Sequence, residues 1–473
     1  MSTPPPTTQP PNFWTRDRVV AALEAVTVGN PPTGPQPFRR VWTDTRTIEP
    51  GDLFVALAGE RFDAHDFLKD AVLKGASGLV VSRAAPAAGL GAPVFEVSDT
   101  LVALGALGRY RRKAWSGPVV AVVGTNGKTS TKELIRAALG SRLDVHATTG
   151  NLNNLVGVPL TLLAIPDSAD VAVIEMGTNA PGEIARLRAI VDPDVTVVTS
   201  IAEEHLEGLG DVAGVLREEL AGVEQVPVAV VPASQPEVAD GACGKARRVV
   251  TAGLDGGDVS ALGSSIDENG RGHMRVDGCE IVVPLRGVHN LRNAALALAV
   301  ARELGVTLDD AARGIATMAP PPMRVNWERL GRATLINDAY NSNPGSARAA
   351  IELLRHAGQG RQRVAVLGSM LELGVQTPQL HDDVARSALA EGGVELVAAV
   401  GEFAAAFARV SPNDPRVVAA DDVDSLWAAL SSRLSPDAVI LLKGSRGMRL
   451  ERLVKPITEW ATGGIAADTV GHP

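Results

Sequence analysis

The fold of the middle of the chain is decided by one stretch, Val119-Val120-Ala121-Val122-Val123-Gly124-Thr125-Asn126-Gly127-Lys128-Thr129-Ser130-Thr131. A run of mostly β-branched residues ends abruptly in a glycine-containing turn, and residues 132–139 then show the apolar spacing of a helix. Glycines let backbone N–H groups face an anion, and the N-terminus of a helix adds partial positive charge. The order strand, glycine loop, helix therefore predicts a phosphate-binding loop.

The residues of this loop predict an ATP site with magnesium. Lys128 is expected to meet the β- and γ-phosphate oxygens, and the hydroxyl of Thr129 is expected to hold Mg²⁺. The spacing Gly-x-x-Gly-Lys-Thr is shorter than the general pattern, because Val122 stands where that pattern has glycine. A turn with a solvated lysine is the alternative, and the flanking strand and helix argue against it. The expected ATP contacts are Gly124, Thr125, Asn126, Gly127, Lys128, Thr129 and Ser130.

Length and composition are those of a soluble protein with several domains. A chain of 473 residues predicts two to four domains, and 45% hydrophobic residues supply ample core. Two cysteines are too few for a disulfide framework and predict reduced thiols in a cytoplasm. No targeting segment and no apolar run of about 20 residues is present, which argues against membrane insertion. The net charge of −9 and the 3% aromatic content argue against a nucleic-acid partner.

Composition shifts divide the chain into a tail and three α/β domains. Residues 1–12 are rich in proline and threonine and are predicted to be a disordered tail. Domains are predicted at 13–116, 117–322 and 323–473, with boundaries at Ser116-Gly117-Pro118 and Pro320-Pro321-Pro322. The third domain is predicted to be a doubly wound, Rossmann-like parallel sheet, with strands at 333–337, 363–368, 395–400, 416–420 and 438–442. No Gly-x-Gly-x-x-Gly follows its first strand, so a dinucleotide cofactor is not expected.

Two polar residues follow buried strands beside the phosphate loop. Glu175 ends the strand 171–174, where a carboxylate is placed to bind Mg²⁺ directly or through water. A carboxylate that caps a helix N-terminus or a turn is the alternative. His205 follows the strand 195–200. A lone histidine after a strand usually makes an ordinary polar contact. With Lys128 and Thr129 expected at the same sheet edge, His205 becomes a candidate metal ligand or phosphate contact.

Helix 211–221 carries a glutamate on its apolar face. At about 100° per residue, Glu219 falls about 60° from Leu216, inside the apolar stripe, while Glu218 points the opposite way. A carboxylate on a buried face needs a metal or a basic partner. The alternative is a glutamate at the edge of the stripe that reaches solvent.

Further candidates lie in loops and at a helix start. Asn290 and Asn293 share a helix face, a geometry suited to an adenine edge. An N-cap asparagine with one surface asparagine is the alternative. In the third domain, polar clusters end successive strands and are expected to line one crevice. These clusters are 338–344, 368–374 and 443–446.

The first domain offers a polar loop and a basic run. The loop 59–67 follows a strand, where ligand loops tend to lie. Asp44, Arg46 and His65 are candidates for such a site, and a surface ion network is the alternative. The basic run 109–113 is expected to be a solvated helix face that leads into the linker.

Together these motifs resemble the Mur ligase family, from about Val41 to about Glu451. The loop Gly-Thr-Asn-Gly-Lys-Thr is shared with folylpolyglutamate synthases and therefore indicates only the superfamily. Three stretches resemble the member that adds D-alanyl-D-alanine: Thr43–Phe67, Gly150–Asn154, and Asp338–Asn343 with Leu367–Gly374. The Asp-Asn-Pro-Arg motif expected of the member that adds the third residue is absent from the sequence.

The resemblance implies a monomeric bacterial ligase that uses ATP and Mg²⁺. The terminal carboxylate of UDP-N-acetylmuramoyl-tripeptide would become an acyl phosphate, and the amine of D-alanyl-D-alanine would displace phosphate. By position, the resemblance implies phosphate and metal roles for Lys128, Thr129, Glu175 and His205. It implies ATP contacts for Asn290, Asn293, Arg324 and Asp338. Substrate contacts are implied for Thr45, Arg46, His65, Asn153, Asn154, Tyr340, Asn341, Ser342 and Asn343.

One departure from the family concerns Glu219. The family usually carries a carbamylated lysine on the helix after the histidine, where its new carboxylate supports a second Mg²⁺. Counted from His205, that position is Glu219, and no lysine lies between residues 133 and 244. The hypothesis is that Glu219 supplies this carboxylate permanently, without CO₂.

Two other readings are weighed against the dipeptide-adding ligase. One is a Mur ligase that adds a single amino acid, which the choice of acceptor would reveal. The other is a nucleotide-dependent switch, for which the guanine-reading motif Asn-Lys-x-Asp is missing from the sequence.

Overall fold

The computed structural model describes residues 8–463, except residues 25, 30, 60, 61, 268, 269, 391 and 392. Residues 1–7 of the predicted tail lie outside the described residues. Gln9 exchanges two hydrogen bonds with the backbone of Val41, at 2.9 and 3.0 Å, and Pro10 is buried. The chain is therefore anchored to the first sheet from Gln9 onward.

The first unit is a four-stranded parallel sheet with a small two-stranded ribbon. The sheet order is β3-β4-β5-β6, and β1 pairs antiparallel with β2. A core of apolar side chains fills both faces of the sheet. Its elements are β1 Trp14–Thr15, α1 Arg16–Leu23, β2 Pro37–Phe38, β3 Val41–Trp42, β4 Leu53–Val55, α2 Leu68–Leu73, β5 Gly78–Val81, β6 Val94–Glu96 and α3 Thr100–Ala114.

The central unit is a nine-stranded sheet in the order β15-β14-β13-β12-β11-β10-β7-β9-β8. Neighbouring strands are parallel from β13 through β12, β11, β10, β7 and β9 to β8. Strands β13, β14 and β15 form an antiparallel meander at one edge. Its first elements are β7 Val119–Val123, α4 Lys128–Leu139, β8 Val145–Ala147, α5 Gly157–Leu163, β9 Val171–Glu175, α6 Glu183–Val191, β10 Val195–Val198, α7 Leu206–Leu209 and α8 Val212–Leu220. The others are β11 Val228–Pro232, α9 Pro236–Ala242, β12 Arg248–Gly253, β13 Val259–Ile266, β14 Arg271–Val276, β15 Cys279–Arg286, α10 Val288–Glu303 and α11 Leu308–Ala316.

The third unit is the doubly wound sheet that the sequence predicts. Its order is β16-β17-β21-β18-β19-β20, parallel except for the edge strand β16, which the sequence analysis did not predict. The five predicted strands are confirmed to within one residue at each end. The elements are β16 Asn326–Leu330, β17 Ala333–Asp338, α12 Pro344–Ala357, β18 Arg363–Leu367, α13 Thr377–Leu389, β19 Leu396–Val400, α14 Glu402–Val410, β20 Val417–Ala420, α15 Val423–Ser431, β21 Val439–Lys443 and α16 Val454–Gly463.

The basic run at the end of α3 joins the first unit to the second, so the expectation of a solvated face is wrong. Arg111 and Arg112 are buried. Arg111 donates to the carbonyl of Ile165 at 2.6 Å, and Arg112 donates to the carboxylate of Asp194 at 3.0 Å. A guanidinium group has five N–H donors and can therefore bond several carbonyl oxygens at such a joint.

Among the described helices, none has both the length and the apolar character that crossing a membrane requires.

Candidate active site

The loop between β7 and α4 has the backbone that its glycines allow. Gly124 and Gly127 have φ of +115° and +85°, a region that favours glycine. A side chain at Gly124 would come within 2.9 Å of the carbonyl oxygen of Ser200. A side chain at Gly127 would come within 2.8 Å of the Asn293 amide oxygen. The loop is therefore packed closely against the strand end of β10 and against α10.

The backbone of this loop is braced, but the helix start is left open. Gly124 N donates to Glu219 Oε2 at 2.8 Å, and Thr125 N donates to the carbonyl of Ser200 at 2.7 Å. The N-cap of α4 is Gly127, and no side chain of the described residues caps the first turn, in which Ser130 is buried. Uncapped N–H groups at a helix N-terminus form a site for phosphate.

Lys128 lies among carboxylates at the start of α4. Its ammonium donates to the carbonyls of Gly124 and Thr125 and lies 3.6 Å from Glu204 Oε2. Burial by itself lowers the pKa of Lys128, but Glu204, Glu219 and Glu175 outweigh it and hold the pKa above its ordinary value. Lys128 is therefore charged, and it is placed to meet an anion at the helix start.

Glu175 ends β9 with one carboxylate oxygen satisfied and the other not. Its Oε1 accepts from Thr129 Oγ1 at 3.2 Å and from Asn153 Nδ2 at 3.0 Å. Its Oε2 is buried and has no hydrogen-bond partner among the described residues. Mg²⁺ prefers hard oxygen ligands such as carboxylate and hydroxyl groups. The unpaired oxygen of Glu175 beside the Thr129 hydroxyl therefore fits a magnesium ion.

Glu219 is buried on α8, where the helical wheel puts it, and only 2% of it is exposed. Burial raises the pKa of Glu219 to about 7, against a smaller opposing effect of Lys128 and of the Gly124 N–H. The wheel is misleading for Glu218, which is also buried. Its carboxylate accepts from Gly182 N at 2.7 Å and from Ile184 N at 2.8 Å, and it caps α6.

The raised pKa of Glu219 predicts a pH-dependent stability for the ligand-free protein. The ordinary pKa of 4.5 applies in the unfolded chain and about 7 in the folded one. Between these values the folded state binds more protons, so the free energy of unfolding falls as pH rises through that window and is level above it. Glu219→Gln is expected to raise the free energy of unfolding by about 3 kcal/mol at pH 8 and to change it little at pH 4.5.

Urea unfolding of both proteins at these two pH values measures the effect. Glu224→Gln is the matched control, because Glu224 pairs with Lys245 at the surface. An equal difference between native protein and Glu219→Gln at both pH values contradicts the prediction.

His205 faces the third unit. It has φ of +52° at the start of α7, and its Nδ1 is paired with Glu372 Oε2 at 2.5 Å. Burial lowers the pKa of His205, but the bond to Glu372 and the charge of Glu204 raise it above its ordinary value. Within the described ranges, no three His, Cys, Asp or Glu side chains converge as a metal site. Glu175, His205 and Glu219 therefore do not form one preformed ligand set.

The loops of the third unit meet the phosphate loop directly. Asn343 Nδ2 donates to Asn126 Oδ1 at 2.9 Å, and Asn341 Nδ2 donates to Glu204 Oε1 at 3.0 Å. A cavity of about 130 Å³ lies between the two sets of loops. The polar clusters that end β17, β18 and β21 thus share one crevice with the end of β10.

The hinge between the units brings Arg324 and Asp338 to this region. The Arg324 guanidinium lies 4.2 Å from the ring centre of Tyr340, a cation–π contact. Asp338 accepts from Val325 N at 3.2 Å and pairs with Lys443 at 3.1 Å.

The two asparagines of α10 are both buried. Asn290 Nδ2 donates to the carbonyl of Arg286 at 2.8 Å, and Asn293 Nδ2 donates to Asn290 Oδ1 at 3.1 Å. Asn293 also lies against Gly127 of the phosphate loop. The pair is therefore on the helix face that meets the loop, with part of its hydrogen-bonding capacity used internally.

The asparagines after β8 have separate tasks. Asn153 reaches Glu175, as given above, whereas Asn154 Oδ1 accepts from Val156 N at 3.1 Å and from Gly157 N at 2.9 Å. Asn154 thus holds the start of α5. Asn153 is the one that lies beside the expected metal position.

The candidates of the first unit differ in accessibility. Arg46 is held by Asp44 through two contacts of 2.9 and 2.7 Å, yet its side chain is 85% exposed. The carbonyl of Thr45 accepts from Lys74 at 2.8 Å. His65 is buried, its Nε2 accepts from Ser82 N at 3.0 Å, and its Nδ1 therefore donates to Asp63 at 2.7 Å. Both ring nitrogens therefore have hydrogen-bond partners within the first unit. His65 holds the loop in place, whereas the sequence predicted a contact with the ligand.

Glu204 is a residue that the sequence analysis missed. It is buried and joins Lys128 of the phosphate loop to Asn341 of the third unit. The run Glu203-Glu204-His205 indicates a polar site after β10. Nothing in the sequence distinguishes the glutamate that is buried there from its neighbour.

Three family models match the chain in order. They are the Mur ligase family catalytic domain over residues 38–112, the Mur ligase middle domain over 122–301, and the Mur ligase glutamate ligase domain over 323–446.

Named relatives match nearly the whole chain. The UDP-N-acetylmuramoyl-tripeptide–D-alanyl-D-alanine ligase of Bacillus subtilis is 33% identical over 93% of this chain and 97% of its own length. A crystal structure of MurF from Acinetobacter baumannii superposes with a TM-score of 0.85 at 30% identity, covering 94% of this chain and 99% of that one. The ADP complex of MurF ligase from Thermotoga maritima gives 0.78 at 26% identity, covering 89% and 98%.

Proposed function

The chain belongs to the Mur ligase family, and from that premise we propose that it joins D-alanyl-D-alanine to UDP-N-acetylmuramoyl-tripeptide at the expense of ATP. It is an enzyme of the ligase class, like the relatives it resembles over almost its full length. The product is a peptidoglycan precursor. Two free cysteines fit a reaction in the bacterial cytoplasm.

The observation that carries this proposal is the position of Glu204 between the phosphate loop and the third unit. Its two oxygens contact Lys128 on one side and Asn341 on the other. A nucleotide phosphate at Lys128 and an acceptor at the Asn341 loop would therefore be neighbours. Transfer between two substrates needs this proximity, because their reacting atoms must approach within about 3 to 3.5 Å.

The side chains suggest how each step is supported. The tripeptide carboxylate attacks the γ-phosphorus and ADP leaves, giving an acyl phosphate. The amine of the dipeptide then attacks the acyl carbon, the C–O bond to phosphate breaks, and the amine loses a proton. Lys128 and the open N-terminus of α4 stabilise the phosphate charge in both steps.

Magnesium belongs to this proposal as a cofactor. Thr129 and Glu175 would hold the ion, and Asn153 orients the Glu175 carboxylate. When bound, Mg²⁺ neutralises charge on the phosphate oxygens. In the described conformation His205 pairs with Glu372, and Glu219 accepts a hydrogen bond from Gly124 N. His205 and Glu219 are therefore proposed to support a second ion only after the units close on the substrates.

The remaining contacts are proposed by position. Asn290, Asn293, Arg324 and Asp338 would bind ATP, since all four lie around α10 and the hinge. Arg46, the most exposed of the first-unit candidates, would bind the diphosphate of the uridine nucleotide together with Thr45. Catalysis with substrates on three units would need their closure.

A phosphate-release assay over a panel of acceptors tests the function. With ATP, Mg²⁺ and UDP-N-acetylmuramoyl-tripeptide present, release is expected with D-alanyl-D-alanine and not with free diaminopimelate, lysine or D-alanine. EDTA is expected to abolish it. Release driven by a single amino acid would indicate a different member of the family. Release that no acceptor stimulates would contradict the ligase assignment.

A further inference from the structure

We propose that Arg446 binds the terminal carboxylate of the incoming dipeptide, which lies in the crevice with its amino group toward Glu204. This inference rests on the proposed function and gives the acceptor an orientation. Arg446 belongs to the polar cluster that follows β21. The crevice is the cavity of about 130 Å³ between the central and third units.

The charges that line the crevice match a zwitterion. Glu204, Glu372 and His205 line it together with Arg446, which is the one arginine or lysine among its described lining residues. An ammonium group needs carboxylate acceptors, and a carboxylate is matched best by the planar guanidinium fork. A ligand with one amine and one carboxylate would therefore find a partner for each end.

The position of Glu204 fixes which end of the ligand lies where. Glu204 Oε2 is 3.6 Å from Lys128 Nζ, so this carboxylate borders the phosphate loop. The dipeptide amine must reach the acyl carbon, which is formed at that loop. Its amino end therefore belongs beside Glu204, and the carboxylate belongs at the part of the lining contributed by the loop after β21.

Arg446 has donors available for this task. Its Nη1 contacts Met323 Sδ at 3.1 Å, a weak acceptor, and Glu451 Oε1 at 3.4 Å. Its Nε and Nη2 have no hydrogen-bond partner in the described part of the chain, and the side chain is 44% exposed. The Nε–H and Nη2–H groups lie along one edge of the planar guanidinium, an arrangement that suits a bidentate contact with a carboxylate.

The floor of the crevice adds a second unpaired group. Ser342 Oγ is buried and lacks a hydrogen-bond partner among the described residues. The neighbouring Ser445 Oγ is occupied, since it accepts from Leu371 N at 3.0 Å and donates to the carbonyl of Ser342 at 3.3 Å. Ser342 is thus the hydroxyl that remains for a ligand carbonyl or carboxylate.

The two charged ends of a dipeptide lie farther apart than those of a single amino acid. Two extended residues span about 7 Å. A single amino acid carries its amine and carboxylate on one carbon. It would therefore leave either Glu204 or Arg446 without its partner charge, which gives a physical basis for preferring a dipeptide.

A substrate lacking the terminal charge tests the inference without any mutation. For the native enzyme, KM for D-alanyl-D-alaninamide is expected to exceed KM for D-alanyl-D-alanine by about 10- to 100-fold, because one charge-assisted contact is lost. In Arg446→Ala the two KM values are expected to converge, and Arg446→Lys is expected to restore part of the difference. KM for ATP is expected to be unchanged in both variants.

Arg452→Ala is the matched control, because Arg452 is an exposed arginine of the same segment that pairs with Asp424 outside the crevice. Equal KM values for acid and amide in the native enzyme overturn the inference, even if the variants do not fold. So does an Arg446→Ala enzyme that still discriminates as the native one does. A native enzyme that D-alanyl-D-alanine fails to stimulate refutes the proposed function instead, and the inference falls with it.

Discussion

Replacing Lys128 with alanine is expected to lower acceptor-dependent phosphate release by about 1,000-fold or more. The ammonium lies at the open start of α4, and the carboxylates of Glu204, Glu219 and Glu175 surround it. Without it, those carboxylates would face the phosphate charge uncompensated. Both the binding of ATP and the departure of ADP would suffer.

The measurement is steady-state phosphate release at saturating acceptor, together with ADP binding by calorimetry. Lys113→Ala is the matched control, since Lys113 is an exposed lysine at the end of α3. A thermal unfolding curve shows whether Lys128→Ala is folded. Folded Lys128→Ala with more than about a tenth of native activity would refute the role given to this lysine.

Loss of the Glu219 carboxylate is expected to have the second largest effect, about 100-fold or more in kcat for Glu219→Ala. Glu219 has two connections, a hydrogen bond to Gly124 N at 2.8 Å and its charge beside Lys128. Glu219→Gln separates them, because glutamine still accepts from Gly124 but carries no charge. If the charge supports a metal, Glu219→Gln is expected to be nearly as inactive as Glu219→Ala.

The same position tests the hypothesis that no CO₂ is needed. Native activity is expected to be unaffected by depletion of bicarbonate. Glu219→Lys restores the residue type usual in the family, and its activity is expected to rise when bicarbonate is added. Glu224→Ala serves as the control on the adjoining surface. Native activity that disappears on bicarbonate depletion would exclude a permanent carboxylate at this site.

The strongest predictions from sequence were those that depend on short-range pattern. The alternation of apolar strands and amphipathic helices predicts the third sheet, and all five of its parallel strands are found. The phosphate loop follows from a strand, two glycines and a helix within residues 119–139. The burial of Glu219 follows from the helical period. In each case the physical cause lies within one element, so the local sequence is sufficient.

The pattern was least informative where partners come from different units. Glu218 was expected to face away from the apolar stripe, but a second helix packs on that side and takes its carboxylate as a cap. Arg111 and Arg112 read as a solvated run, yet they fill the joint between the first two units. The apolar periodicity of a helix indicates which residues share one face of that helix. It does not indicate on how many faces other elements pack.

The sequence alone therefore determined the strand–loop–helix that receives a phosphate, the parallel sheets and the residue types available for catalysis. Only the tertiary structure decided that Glu204 rather than Glu203 joins Lys128 to the third unit. It also decided that His205 meets Glu372, 167 positions along the chain. The physical reason is that local propensity acts between residues a few positions apart, whereas an active-site crevice is formed by packing between units that are distant in sequence.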